Sequence, residues 1–385
     1  MSELHDILSV FAEIDKQNTV AALVTLCKVT GSSYRRPGAR MVVTSKMPAA
    51  GAISGGCLEA DAFERAKKVM ATGEPLRVTY DATRNDEALW ALNLGCRGVS
   101  EVLVEKLSRD SPAARHLRFA AASLEKRELS AVATVFRVSE GIRIPLGARV
   151  MRDTHGVVAS DLEDSGLGDG TIMARFAADL AAAMRERESR TVSYELPHRE
   201  QPGGTIEVFI DVIGPPLSLV VFGAGYGTLP LVALAKPLGW DVTVIDHRPA
   251  YARPERIPAA DRVILACAEQ LREQVRLDED TAAVIVTHQY TVDAELLRQL
   301  LPSPVRYVGL LSSETRVREL LDELARHGFT PDAAQLEKLH APVGLDLGGE
   351  GPESIAVAII AEIEKVVRGG TGRSLRDVKG TFRAS

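Results

Sequence analysis

The sequence has few cysteines, and the four it carries lie far apart: Cys27, Cys57, Cys96 and Cys267. Domains that depend on disulfides carry many cysteines in a short chain, so this distribution argues against a disulfide framework. There is also no Cys-x-x-Cys or His-x-x-x-His spacing of the kind that structural zinc sites use. Each cysteine therefore has to be interpreted separately.

Long apolar runs are missing as well. No uninterrupted apolar stretch reaches the length that a membrane span needs. The first residues, MSELHDILSVFAEID, lack the basic and apolar regions of a signal peptide. The sequence therefore predicts a cytoplasmic protein that does not enter a membrane.

Neither sign of charge dominates the composition. The chain has 46 Lys and Arg residues against 52 Asp and Glu residues, a formal net charge of -6, which gives no reason to expect nucleic-acid binding. Hydrophobic residues make up 45%, as is typical of globular proteins. A length of 385 residues exceeds that of one ordinary core and predicts two or three domains.

The hydrophobic pattern predicts an α/β fold with four segments. Residues 1–107 are expected to form a small α/β domain, and residues 108–216 a middle α/β connecting region with strands over 131–137, 142–151 and 205–212. Residues 217–368 are expected to form a Rossmann-like, doubly wound parallel sheet, followed by a polar tail, 369–385. The Rossmann-like segment is indicated by helical stretches that alternate with the apolar runs 217–222, 242–245, 262–266, 282–287 and 305–309.

A glycine motif opens the Rossmann-like segment. Gly223 and Gly225 follow a predicted buried strand and precede a helix, where glycines permit a tight turn and let a pyrophosphate approach the backbone. Asp246 ends the next strand, where a carboxylate can bind a ribose hydroxyl, although Arg248 nearby would suit a 2′-phosphate. Thr228 replaces the third glycine of the motif, so two interpretations stay open. The site binds NAD(P) or another nucleotide, or the glycines serve only the turn.

Two cysteines lie in glycine-rich loops. Gly55 and Gly56 precede Cys57 at the start of a predicted helix, where free N–H groups and the helix dipole favour a thiolate. Cys96 lies between Gly95 and Arg97, again beside a positive charge. The alternative is that both thiols only fill small pockets beside tight turns. Cys27 and Cys267 follow or lie within apolar runs and are interpreted as core or strand-end thiols.

Distinct segments of the chain carry a family resemblance. GSSYRRPGARMVV, GAISGGCLEADAFERA and LGCRGVSEVLVE are similar to an amino-terminal XdhC/CoxI-type domain. VVFGAGYGTLPLVALAKPLGWDVTVIDHRP, VIVTHQYTVDAELLRQLL, YVGLLSSETRVRELLDEL and APVGLDLGGEGPESIAVAIIAEI resemble the Rossmann domain of the same proteins. The sequence thus resembles the xanthine dehydrogenase accessory (XdhC/CoxF-like) family over most of its length.

The resemblance implies an accessory chaperone more than a catalyst. Such a factor binds molybdenum cofactor (molybdopterin), assists exchange of an oxo for a sulfido ligand with a cysteine desulfurase, and passes the cofactor to a xanthine dehydrogenase or CO dehydrogenase type apoprotein, commonly as a homodimer. Combined with local chemistry, it predicts that Cys57 and Cys96 contact molybdenum in a cleft between domains. The other predicted contacts of the molybdenum cofactor are Gly55, Gly56, Arg36, Arg40 and Arg97.

Two other functions remain as alternatives. The first is an NAD(P)-dependent oxidoreductase that uses His288, at the carboxyl end of a predicted strand, as its acid–base group. The second is a thiol redox or scaffold protein in which Cys57 and Cys96 form a reversible disulfide. Asp293, after His288, is interpreted as either a helix cap or a site residue.

Overall fold

The structure, a computed structural model, describes residues 2–83, 98–162, 171–196 and 204–379. The chain forms two compact units, Glu3–Pro215 and the part from Pro216 onward. The first unit is built on antiparallel sheets and the second on a parallel sheet. In the described ranges, no helix is both long enough and apolar enough to cross a membrane.

The first unit contains two five-stranded antiparallel sheets with the strand orders β3-β2-β1-β5-β4 and β8-β7-β6-β10-β9. Its described helices are α1 Ser2–Gln17, α2 Glu59–Thr72, α3 Pro112–Glu125 and α4 Thr171–Glu186. Its strands are β1 Ala21–Gly31, β2 Arg40–Val43, β3 Pro48–Gly51, β4 Leu76–Asp81, β5 Gly98–Leu107, β6 Ser130–Val138, β7 Arg149–Arg152, β8 Val157–Ser160, β9 Arg190–Leu196 and β10 Gly204–Ile213.

These two sheets are an internal repeat. The strand order is the same in both, with one helix before the first strand and another between the third and fourth. Strands β6, β7 and β8 each begin 109 residues after β1, β2 and β3, at Ser130, Arg149 and Val157. The sequence Gly-Ala-Arg also recurs, at residues 38–40 and 147–149. We therefore describe the unit as a first half, residues 3–107, and a second half, residues 108–215.

Buried ion pairs cross between the halves in a reciprocal way. Arg40 in the first half pairs with Asp211 in the second, and Arg149 in the second half pairs with Glu105 in the first, at 2.6 Å. All four side chains are less than 10% exposed. Because an isolated buried charge is costly, each half supplies the group that neutralises the other.

Closer to the surface, a second set of ion pairs repeats the exchange. Lys28 pairs with Glu207 at 3.0 Å, and Arg137, 109 residues after Lys28, pairs with Glu101 at 2.5 Å. Each cation again lies in one half and its carboxylate in the other. The reciprocity therefore extends beyond the two central arginines.

Strand β1 is covered on both faces, which explains its continuous apolar sequence. Ala22, Val24 and Leu26 pack with helix α2, whereas Ala21 and Leu23 pack with residues of α1 and α3. Cys27 lies in a third cluster with residues of both halves, Leu103, Phe136 and Phe209. The buried thiol confirms the prediction that Cys27 belongs to the core.

One predicted strand is shorter than expected. The apolar run over residues 142–151 predicts a single strand, but β7 begins only at Arg149. Pro145 has no N–H to donate to a ladder, and Gly147 has a φ of +81°, so these residues form a turn before the strand.

The second unit contains a six-stranded parallel sheet with the order β13-β12-β11-β14-β15-β16. The strands are β11 Ser218–Phe222, β12 Asp241–Asp246, β13 Arg262–Leu265, β14 Thr281–Ile285, β15 Tyr307–Leu310 and β16 Leu339–His340. The helices are α5 Thr228–Ala235, α6 Leu271–Gln274, α7 Tyr290–Leu300, α8 Glu314–Arg326, α9 Ala333–Glu337, α10 Pro352–Arg368 and α11 Leu375–Lys379.

This strand order is that of a Rossmann fold, with its switch between β11 and β14. Successive residues of β11 enter two different cores: Leu219 and Val221 pack on one face of the sheet, and Val220 and Phe222 on the other. Burial on both faces explains the uniformly apolar runs of the sequence. The predicted α/β fold, with a doubly wound sheet in the carboxyl-terminal part, is confirmed.

A buried polar cluster joins α10 to the far edge of this sheet. The carboxylate of Glu362 accepts hydrogen bonds from the Tyr307 hydroxyl at 2.7 Å and the Gly344 N–H at 2.9 Å, and His340 lies 3.5 Å away. Burial alone would raise the pKa of Glu362, but the interactions with His340, Tyr307 and Gly344 lower it to about 2.

Replacing Glu105 with Gln should lower the free energy of unfolding of the first unit by about 3 kcal/mol or more, because Arg149 would stay buried without a countercharge. Urea unfolding of the full chain measures the effect. Glu314→Gln, which breaks an exposed pair with Arg318, is the matched control and should cost less than about 1 kcal/mol. Equal effects of the two changes would contradict a structural role for the crossed pairs.

The Glu362 cluster predicts a stability that depends on pH. Because the folded pKa of Glu362 lies below its ordinary value, the ionised group stabilises the fold above about pH 4.5, and this contribution disappears as the pH falls through about 2. Glu362→Gln should therefore be less stable than the wild type at pH 7, and the difference should shrink below about pH 4.5. A difference that is constant with pH in thermal unfolding would contradict this role.

Candidate functional site

Cys57 lies in the loop that joins strand β3 to helix α2. Its side chain is half-buried against the core of the first sheet, and its Sγ lies 3.5 Å from the hydroxyl oxygen of Ser54. The same oxygen accepts hydrogen bonds from the N–H groups of Gly56 and Leu58, each at 3.1 Å. Ser54 therefore holds the whole turn around the thiol.

Glu59, the first residue of α2, completes this arrangement. Its carboxylate accepts the Ser54 hydroxyl, the Ser54 N–H at 2.8 Å and the Leu58 N–H at 3.1 Å. Burial would raise the pKa of Glu59, but the hydrogen bonds from Ser54 and the backbone hold it below its ordinary value. The sequence prediction did not include Ser54 or Glu59, because their separation of 5 residues differs from the three-residue spacing of a capping box.

The two glycines of this loop differ in their surroundings. Gly56 has a φ of +111°, and a Cβ there would project into open space with no atom within 4 Å. A Cβ on Gly55 would meet the ring of Tyr34 at 3.4 Å, and Tyr34 is 75% exposed. The backbone beside the thiol is thus open to the approach of a ligand at Gly56.

Arg36, in the turn between strands β1 and β2, and Arg40, at the start of β2, have different surroundings. Arg36 is exposed, and its guanidinium pairs with no carboxylate in the described part of the chain. Arg40 is buried with Asp211 and also donates to the Gly38 carbonyl at 3.2 Å. Since Arg149 makes the same two contacts in the second half, Arg40 already has a structural role. It would have to leave Asp211 to bind a phosphate.

Cys96 and Arg97 lie outside the described residues, so their proximity to Cys57 stays a prediction. Among the residues that the structure does describe, no group of three or more His, Cys, Asp or Glu side chains is placed to hold a metal ion. The Cys57 loop offers one soft thiol and an open glycine, and the turn between β1 and β2 adds the exposed guanidinium of Arg36. A thiol suits a soft metal ion, and a guanidinium suits a phosphate.

The remaining cysteines have different surroundings. Burial raises the pKa of the Cys27 thiol, so this group stays protonated inside the first unit. Cys267 follows strand β13 and is exposed, so it is a strand-end thiol and not a core one.

In the second unit, the glycine motif has the geometry of a Rossmann turn. Gly223 has a φ of +109°, and a Cβ there would lie 2.8 Å from the Val286 carbonyl oxygen, so only glycine fits against the end of β14. A Cβ on Gly225 would meet nothing within 4 Å. Thr228, in place of the third glycine, donates its hydroxyl to the Gly223 carbonyl at 2.6 Å and stabilises the turn.

Asp246 lies at the carboxyl end of β12, as predicted, but its carboxylate already has partners. It accepts the Ala224 N–H at 2.7 Å and a two-point contact from the Arg248 guanidinium at 2.7 and 2.9 Å. Burial would raise the pKa of Asp246, but these hydrogen bonds hold it below its ordinary value. The carboxylate is therefore charged and neutralised by Arg248.

His288 follows β14 at the same edge of the sheet. It is exposed and has a φ of +59°, whereas Asp293, in the first turn of α7, is buried. Asp293 accepts the Thr287 hydroxyl and the Arg316 guanidinium, the latter at 2.7 Å. It is not the helix cap, because α7 begins at Tyr290, but its contacts join the end of β14 to helix α8.

Comparison with known protein families agrees with the division of the chain into two units. Residues 15–81, which contain the Cys57 loop, match the model described as the XdhC and CoxI family. Residues 219–363, which contain the parallel sheet, match the XdhC Rossmann domain.

Individual proteins match along most of the chain. A Bacillus subtilis protein, named as a probable subunit of xanthine dehydrogenase, is 32% identical over 367 residues, which cover 94% of this chain and 97% of that protein. The Escherichia coli molybdenum cofactor insertion chaperone PaoD is 22% identical over 90% of this chain and 83% of its own length. A crystal structure from Bacillus halodurans, described as a xanthine dehydrogenase, has a TM-score of 0.74 and 26% identity, and the match covers 98% of this chain and 99% of that one. Since the Bacillus subtilis match is this close over nearly the full length of both proteins, the chain belongs to the XdhC and CoxI family.

Proposed function

We propose that this protein binds molybdenum cofactor as cargo and delivers it to a molybdoenzyme apoprotein of the xanthine dehydrogenase or CO dehydrogenase type. The single observation that carries the proposal is the half-buried thiol of Cys57 beside the open backbone of Gly56. Support comes from the names of two relatives, one referring to xanthine dehydrogenase and the other to a molybdenum cofactor insertion chaperone.

The proposed roles follow from the chemistry of each side chain. Cys57, together with Cys96 from the second glycine-rich segment of the sequence, would supply soft sulfur ligands for molybdenum. Gly55 and Gly56 let the cargo approach the backbone, and Arg36, whose guanidinium is free of acidic partners in the described residues, binds the pterin phosphate. Arg97 and Arg40 are further candidates for that phosphate, although Arg40 is paired with Asp211.

Further partners are part of the same proposal. A cysteine desulfurase would supply the sulfur that replaces an oxo ligand of the cargo before delivery. The protein would act in the cytoplasm as a homodimer and as a chaperone, without a turnover of its own. The Rossmann unit, with Gly223, Gly225, Asp246 and His288 at one edge of its sheet, would bind NAD(P) or another nucleotide.

Replacing Cys57 with Ala should abolish retention of the cofactor, because the thiol that the loop presents would be gone. Molybdenum and pterin are followed together through gel filtration of the loaded protein. Cys267→Ala, which removes an exposed thiol in the other unit, is the control and should retain both. Full retention by Cys57→Ala and Cys96→Ala alike would contradict the proposed roles. Saturable NAD(P) turnover without any bound pterin would favour the oxidoreductase instead.

Glu59→Gln tests whether the hydrogen bonds that shape the Cys57 loop are needed for retention of the cofactor. The change removes a charge that accepts three hydrogen bonds, and bonds to charged groups contribute about 1.5–3 kcal/mol each, so retention should weaken about tenfold or more. Asp61→Asn, a carboxylate on the same helix that contacts Arg65 and Tyr80 and not the loop, is the control. Equal retention by the two variants would show that the Ser54–Glu59 contacts do not position Cys57.

A further inference from the structure

The segment after strand β12 concentrates positive charge at the ligand-facing edge of the Rossmann sheet. Residues 246–256 contain three arginines, Arg248, Arg253 and Arg256, against the two acidic residues Asp246 and Glu255. In a Rossmann fold this segment lies where the adenosine ribose of a dinucleotide binds. An excess of cations at that position favours an additional negative charge on the ribose.

The carboxylate that would otherwise select a free ribose is fully engaged. A ribose diol binds by donating its hydroxyls to the acidic residue at the end of the second strand. Both oxygens of Asp246 already accept hydrogen bonds: Oδ2 from Ala224 and Arg248, and Oδ1 from the backbone N–H and the Nε of Arg248. Its side chain is only 1% exposed. A diol could bind there only by displacing Arg248.

Arg248 itself keeps capacity for a ligand. A guanidinium has five N–H donors, and the contacts with Asp246 use only those on Nε and Nη2. The side chain is 33% exposed, and its guanidinium lies over the ring of Tyr251 at 3.9 Å. Stacking of this kind holds the planar group in one orientation.

A second arginine contacts the same ring. The Arg256 guanidinium lies 4.9 Å from the centre of the Tyr251 ring, and it pairs with no carboxylate among the described residues. Tyr251 thus contacts two guanidinium groups, that of Arg248 near the end of β12 and that of Arg256 further along the same segment. A phosphate monoester can use more than one guanidinium, because its oxygens accept several hydrogen bonds at once.

We propose that the second unit binds a dinucleotide whose adenosine ribose carries a 2′-phosphate, and that Arg248 and Arg256 recognise that phosphate. Asp246 serves to orient Arg248 in this site and does not contact the ribose diol. This inference rests on the proposal that the Rossmann unit binds a nucleotide. It is independent of the role of Cys57.

Calorimetric titration of the full-length protein with NADPH and with NADH tests the inference. NADPH should bind at least tenfold more tightly than NADH, and 2′,5′-ADP should compete better than 5′-AMP. Arg248→Ala should remove the preference, since it deletes one phosphate ligand and frees Asp246 for a diol. Arg256→Ala should weaken NADPH binding and leave NADH binding unchanged.

Arg253→Ala is the matched control, because Arg253 is exposed in the same segment and its Nε donates to the Pro249 carbonyl at 3.3 Å. It should leave the ratio of the two affinities unchanged. Wild-type protein that binds NADH as tightly as NADPH would overturn the inference but not nucleotide binding. Binding of neither nucleotide would overturn both, while cofactor retention at the Cys57 loop would be unaffected.

Discussion

The first unit depends on two buried arginines that are neutralised across an internal repeat. Arg40 and Arg149 occupy equivalent positions in the two halves, and each needs a carboxylate, Asp211 or Glu105, from the opposite half. Losing either carboxylate would leave a buried arginine unpaired, which costs several kcal/mol. The reciprocity is what an isologous two-fold interface produces, as if two copies of one domain had been joined in a single chain.

Arg40 also contacts the segment that leads into the Cys57 loop. Arg40 lies in β2, and its carbonyl leaves no room for a Cβ on Gly51, where β3 ends and the loop begins. From there, Ser54 and Glu59 fix the turn that presents Cys57. The second half has the same framework but no cysteine anywhere in its sequence. One half thus carries all the cysteines of the unit, and the other contributes Asp211, which pairs with Arg40.

Much of the Rossmann unit was predictable, because its strands are buried on both faces and therefore have continuous apolar sequences. Gly223, Gly225 and Asp246 lie in the turn and at the strand end where their motif predicts. The engagement of Asp246 by Arg248 was not predictable, since a pattern of residues does not show which hydrogen bonds a carboxylate already makes. The repeat was not predicted because most of its residues have diverged, and only the recurring Gly-Ala-Arg signals it. The crossed ion pairs join residues up to 179 positions apart, beyond any local pattern.

We propose that the single cysteine-bearing half of each chain holds the molybdenum cargo. The most direct test is the ratio of molybdenum and of pterin to protein chain in cofactor-loaded, gel-filtered protein, measured by elemental analysis and pterin fluorescence. We expect a ratio close to one for each. A ratio near two would place cargo in the second half as well, and the absence of both would contradict the claim.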